Sequence, residues 1–223
     1  MFCGGDVMIE FPKSTFYNKR VPKQKFYSKL SIAGNLEKLF IREIDSIIWK
    51  YKLSSDTLNI SIGTYVTEIQ IFEIILKEQN LSQSIIEFID REIPYHLVFI
   101  LKYKDLGQLC ISFKEQSKNR QGKFKVDSIY KSPWMNYDEL SLEIDGLDLD
   151  KVYENFLIQI SGGNLEIKEN SNVKEAVEKS KEKEKLHAYI KKLENRIKNE
   201  KQFNRQVKMM GELRTAKKQL ENS

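Results

Sequence analysis

Cysteine, proline and histidine are all scarce in this chain, which has two, four and two of them in 223 residues. Two thiols, Cys3 and Cys110, cannot build a disulfide framework. Cys110, in the apolar run Leu109-Cys110-Ile111, reads as a buried thiol, and a reducing cytoplasm is the expected location. Zinc sites need clustered Cys and His, and here only His96 and His187 exist, with no C-x-x-C pair. His96 opens an apolar strand and reads as structural; His187 reads as a solvated surface residue. There is no Gly-x-Ser-x-Gly elbow for a serine nucleophile and no glycine-rich phosphate cradle. The longest apolar runs are strand-length, so no segment is expected to span a bilayer. Met1 to Met8 lacks a basic and then apolar leader pattern, so no signal peptide is expected, and Met8 is a candidate start.

What is present is a charge partition. Residues 1–163 carry 21 Lys and Arg against 22 Asp and Glu, whereas residues 164–223 carry 16 against 10. The whole basic excess therefore sits in the last part of the chain, which has no Pro, Trp or Cys and reads as helix. Hydrophobic content of 40% with 11% aromatics is that of a globular chain. A body of roughly 150–165 residues can bury close to 70% of its unfolded surface and fold without staples. The expected fold class is α/β in the α+β sense: a mixed β-sheet with flanking helices over residues 8–163. A basic helical hairpin or coiled coil follows over 164–223.

Along the body, residues 11–30 form a basic-aromatic opening, with Pro22 suited to the first turn of a short helix ending near Leu30. Asn35 is expected to cap a helix running to about Lys52, because Leu36, Leu39, Phe40, Ile44, Ile47 and Ile48 recur at helical spacing. Residues 58–62 alternate as a short strand closed by Gly63. Val66–Lys77 is β-rich and apolar on both faces, as in a central strand. Leu81–Ile93 is an amphipathic helix stopped by Pro94. Tyr95–Lys104 and Gln108–Lys114 form a hairpin, and residues 116–122 form a polar loop. Lys123–Lys131 is a further strand, Leu140–Ile144 an edge strand, and Leu147–Ser161 a helix broken by Gly162-Gly163. Trp49 and Trp134 read as core.

The tail is expected to be helical from about Asn172. Leu186, Ile190, Leu193 and Ile197 follow the 4-3-4 spacing of a packed helical seam. A second stripe runs through Phe203, Val207, Met210, Leu213, Ala216 and Leu220. The heptad breaks between Ile197 and Phe203, so either two helices fold back or one helix shifts phase, and the hairpin is preferred. Leu186, Ile190, Leu193, Ile197, Phe203 and Val207 are the expected partner-binding residues, with self-association as one outcome.

Several strings together resemble one family. They are Phe11-Pro12-Lys13-Ser14-Thr15 with Asn18-Lys19-Arg20-Val21-Pro22-Lys23-Gln24-Lys25-Phe26-Tyr27, then Asp90-Arg91-Glu92-Ile93-Pro94-Tyr95-His96. Gly146-Leu147-Asp148, Val152-Tyr153-Glu154-Asn155-Phe156 and Glu200-Lys201-Gln202-Phe203-Asn204-Arg205 complete the set. The chain from Phe11 resembles an uncharacterised bacterial family, domain of unknown function forty-three ninety-one. The resemblance implies members set among restriction–modification and helicase genes, hence a role in handling foreign DNA beside a helicase or methyltransferase. It supplies no site residues.

Two functions follow as expectations. The preferred one is a non-catalytic accessory subunit of a DNA-processing or phage-defence assembly, docking a protein partner and touching DNA. Lys13, Lys19, Arg20, Lys23, Lys25 and Lys29, interleaved with Phe16, Tyr17, Phe26 and Tyr27, are the candidate nucleic-acid contact: cations release phosphate counterions and rings stack on bases. The same aromatics could instead anchor the segment to the body. No catalytic residue, metal or cofactor is expected in this reading. The alternative is a divergent nuclease with Mg²⁺ held between carboxylates and an amide or lysine orienting water. Its candidates are Glu68 and Gln70, with Asp56 and Glu73 as further acids. Asp90-Arg91-Glu92 reads as an ion-pair network positioning the next strand.

Overall fold

The computed structural model describes residues 9–27, 34–116, 124–163, 165 and 173–221. The chain forms two compact units, Met1–Gly163 and Asn164–Ser223.

The first unit is a seven-stranded sheet in the order β1-β2-β3-β4-β5-β6, with β7 pairing β5. The strands are β1 (Phe16–Val21), β2 (Ile44–Leu53), β3 (Ile69–Leu76), β4 (His96–Tyr103), β5 (Leu106–Gln116), β6 (Phe124–Lys131) and β7 (Met135–Asn136). Every pairing is antiparallel except β3–β4. A parallel neighbour needs a crossover, supplied by the amphipathic helix α4 (Gln83–Glu92). β3 is buried along nearly its whole length between two strands, which is why both its faces are apolar. Helices α2 (Gly34–Glu43) and α4 cover one face, where Phe40, Ile44, Ile47, Phe72, Ile74, Ile85, Ile89, Phe99 and Leu101 form one cluster. Trp49 and Trp134 are partly buried and pack against it. Helix α5 (Leu149–Ser161) packs on β5 and β6, burying Val152, Tyr153, Phe156, Leu157 and Ile160. Its Tyr153 meets His96, whose pleat position is opposite to that of Leu97, so α5 covers the other face. Among the described residues no helix is long and apolar enough to cross a membrane.

The structure corrects three expectations in this unit. The helix expected from Asn35 to Lys52 ends at Glu43, and Ile44–Leu53 is a strand. β-bulges between Ile44 and Ser46 and between Trp49 and Tyr51 shift its pleat. Ile44 and Ile47 thus reach one core cluster although three residues apart, and the strand imitates a helical period. Phe16–Val21 is a strand ahead of the short helix α1 (Gln24–Tyr27), and the expected helix end near Leu30 lies outside the described residues. Residues 58–62 are not a strand: Ser54 and Thr57 form a capping box for helix α3 (Ser55–Leu58), and Asn59 ends it at φ 55°. Only Ser61 bridges, to Asp148. Leu140–Ile144 forms no ladder; Leu140 and Leu142 are buried as side chains, and the pairing belongs to Met135–Asn136 against Leu106–Gly107. The expected loop at 116–122 falls almost wholly outside the described residues.

The second unit is a helical pair, α6 (Val173–Asn199) and α7 (Phe203–Glu221). The tail's expected start at Asn172 lies outside the described residues. The helices run antiparallel: Lys217 pairs with Glu194 at 2.8 Å, and Gln206 donates to the Ile197 carbonyl at 3.3 Å. Ile190 and Leu193 are buried on α6, Met209 and Ala216 on α7. Together with the partly buried Gln206, Leu213 and Leu220, Met209 and Ala216 make a 3-4-3-4 stripe. The stripe expected on α7 is thereby corrected in its first half, because the buried row begins at Gln206 and Met209. Phe203, Val207 and Met210 are exposed instead.

Candidate functional site

The basic opening becomes the edge of the sheet. Among the described residues β1 pairs only with β2, so one side of its backbone meets no described strand. Lys13, Lys19, Arg20 and Lys25 are exposed, and so is Phe16. Asn18 adopts φ 48° where the register to β2 shifts between Phe16 and Lys19. Lys19 Nζ donates to the Tyr17 hydroxyl at 2.9 Å and lies 4.2 Å from that ring's centre. Tyr17 in turn packs on Trp49 at 4.2 Å between centroids, and Trp49 on Phe72 at 5.9 Å. A groove of about 380 Å³ along Arg20, Val21, Pro22, Lys23 and Gln24 is closed by Asp45 and Ser46.

Two members of the cluster have structural work. Phe26 is buried against Phe40 and anchors α1 to the core. Lys23 Nζ donates to the Ile44 carbonyl at 2.7 Å, while Lys77 Nζ donates to the Ile41 carbonyl at 2.8 Å. Both ammonium groups thereby serve the carbonyls at the C-terminal end of α2. Burial first, then the Lys77 charge, holds the Lys23 pKa below its ordinary value. Lys29 lies outside the described residues. The exposed cations of the opening are therefore Lys13, Lys19, Arg20 and Lys25, with Phe16 also exposed.

The acids of the nuclease alternative are placed separately. Gln70 donates to Glu68 at 2.6 Å, and Lys52, its cross-strand neighbour, pairs with Glu68 at 3.0 Å. Glu73 lies on the opposite face of β3, where Lys50 binds it at 2.7 Å and the Tyr137 hydroxyl donates to it. Lys102 lies 4.0 Å over the Tyr137 ring, and burial together with Glu73 raises the Tyr137 pKa. Asp56 is exposed in the first turn of α3. Among the described residues, no three or more His, Cys, Asp and Glu side chains gather so as to hold a metal ion.

A buried polar group, missed in the sequence, lies where α4 hands over to β4. Lys114 of β5 is 0% exposed and Asp90 of α4 is 1% exposed, with Nζ 3.0 Å from Oδ1. The same ammonium donates to the carbonyls of Asp90, Ile93 and Tyr95. It therefore satisfies the α4 C-terminus that solvent cannot reach, and positions the start of β4. Within Asp90-Arg91-Glu92, Arg91 pairs with Glu92 at 3.5 Å, whereas the cation that Asp90 meets comes from β5, at a spacing that only the sheet register creates. His96 follows directly, between Tyr153, Phe124 and Tyr65. Its Nε2 has no hydrogen-bond partner, and burial with the nearby Lys114 charge lowers its pKa to about 3. His96 is a neutral core residue.

A family model described as Domain of unknown function (DUF4391) matches residues 9–220. The chain belongs to that family. The match spans both structural units, so the family comprises the sheet and the helical pair together. No curated protein and no solved structure matches the chain.

Proposed function

We propose that this family member is a non-catalytic accessory subunit of a bacterial DNA-processing or phage-defence assembly of the restriction–modification kind. In this reading it works in the cytoplasm, docks a protein partner such as a helicase or methyltransferase through its helical pair, and touches DNA through β1. It uses no cofactor. The observation that carries the reading is a solvent-facing set of cations around the terminal strand, with Lys13 just ahead of β1, Lys19 and Arg20 on it and Lys25 in α1 behind it, beside an exposed Phe16. Surface lysines without acids between them attract phosphates irrespective of base identity.

The test is the salt dependence of DNA binding by the full chain. Engagement of two to four phosphates of duplex DNA gives a log–log slope of about −2 to −4. Changing Lys13, Lys19, Arg20 and Lys25 together to Ala should flatten it by about two to three, whereas Lys23→Ala should scarcely change it. Changing Lys191, Lys192, Arg196 and Lys208 in the tail is the matched control. Loss confined to that control would move the contact to the tail and refute the role of β1. DNA should stay intact with Mg²⁺; cleavage abolished by Glu68→Gln would replace this reading with the nuclease.

A further inference from the structure

The terminal strand β1 presents two different faces. Its register sets Lys19 opposite Trp49, Phe16 opposite Tyr51 and Arg20 opposite Ile48. Trp49 is level with Phe72 of β3, whereas Tyr51 and Ile48 are level with Ile71 and Glu73, which point the other way. On the Trp49 side the fold itself uses what β1 offers. Tyr17 packs on Trp49, Lys19 caps the Tyr17 ring and Val21 packs against the core. The opposite side carries Phe16 and Arg20, with Asn18 at the bulge between them, and all three are exposed. Neither Asn18 nor Arg20 has a side-chain hydrogen bond or ion pair among the described residues. Phe16 is 54% exposed, yet its ring is seated 5.7 Å from that of Tyr51. Tyr51 is 8% exposed and fixed by donating its hydroxyl to the Ile9 carbonyl at 3.0 Å. A ring held on such a support loses little freedom when a flat group stacks on its outer surface.

We propose that this face of β1 binds single-stranded DNA, with an unpaired base stacked on Phe16 and a phosphate of the same strand held by Arg20. In a duplex the bases cover one another and offer only their edges, so the Phe16 ring has no flat partner there. An unpaired strand offers both a π-face and a phosphate. Asn18 lies between the two, and its amide supplies a donor and an acceptor to a base edge. The neighbouring cations attract phosphates of either form, so the ring is what separates them. The inference rests on the proposed DNA contact of β1, and it names the form of DNA taken and the face of the strand used.

The test uses the full chain and a fluorescein-labelled oligonucleotide of mixed sequence, single-stranded or annealed to its complement, with anisotropy read over a range of salt. The single strand should bind more tightly than the duplex at equal salt. Phe16→Ala should lower single-strand affinity roughly 5- to 100-fold, the range of one stacked base, and leave duplex affinity and the salt slope unchanged. Phe16→Tyr should restore most of that loss, because it returns a ring and no charge. Urea unfolding followed by Trp49 and Trp134 checks that the sheet unit of each variant is intact. Three results would overturn the stacked base and leave the DNA contact of β1 standing. They are equal affinity for both forms with Phe16→Ala neutral, a single-strand preference that survives Phe16→Ala, and equal losses on both forms. Binding of neither form would overturn the DNA contact as well.

Discussion

Replacing His96 with Phe should flatten the acid dependence of the body's stability. His96 is buried among Tyr153, Phe124 and Tyr65, and burial with the Lys114 charge holds its pKa at about 3. In the unfolded chain the imidazole titrates near its ordinary value of about 6.5. Between these two values the unfolded state binds a proton that the folded state refuses. A depressed folded pKa means stability present above pH 6.5 and lost as pH falls toward 3, by up to about 1.4 kcal/mol per pH unit. Over the whole interval this is on the order of 5 kcal/mol, comparable with the total stability of many domains. Trp49 and Trp134 both belong to the sheet unit, so their fluorescence in urea reports on that unit alone. Other groups contribute to the acid limb, and they cancel when the variant is compared with the parent chain. At pH 7, His96→Phe should lie within about 1 kcal/mol of the parent, because the change removes an unpartnered Nε2 and keeps the ring contacts. The variant should then gain on the parent, by up to about 1.4 kcal/mol per pH unit, as pH falls from 6 to 4. Parallel curves over that interval would refute a neutral, buried His96.

The Lys114–Asp90 pair offers a second measurement. Lys114→Met leaves a buried carboxylate and three carbonyls without their cation and should cost about 3–5 kcal/mol in urea unfolding. The double variant with Asp90→Leu should recover a large part of that, and a double variant no better than Lys114→Met would show that the carbonyl bonds, not the charge pair, dominate. Gly63→Ala should be destabilising by about 2 kcal/mol or more, because the new Cβ would lie 2.0 Å from Asp150 Oδ1 and 2.8 Å from the Asp150 backbone nitrogen. That carboxylate holds the amides of Thr64 and Val66 at 2.6 and 2.8 Å, so it cannot simply turn away; an unchanged melting temperature would refute the close approach.

Much of the architecture was legible in the sequence because it is set by local patterns. The apolar run of β3, the Pro94-terminated α4, the β4–β5 hairpin, β6, α5 with its glycine stop and a helical tail all follow from periodicity and punctuation within a few residues. The charge partition at residues 163 and 164 likewise needs only counting. What the sequence could not decide depends on how distant segments register. The bulges in β2 give a strand the apolar spacing of a helix, and only its ladder with β3 distinguishes them. Lys52 reaches Glu68, Lys50 reaches Glu73 and Lys114 reaches Asp90 because strands bring together residues far apart in the chain. In the tail, both rows of α7 are apolar enough to be buried. The fold-back against α6 covers Met209 and Ala216 and leaves Phe203, Val207 and Met210 in solvent. Local propensity specifies that a segment is helix or strand, but which face is covered is a property of the partner it packs against, and that information is carried by the tertiary structure.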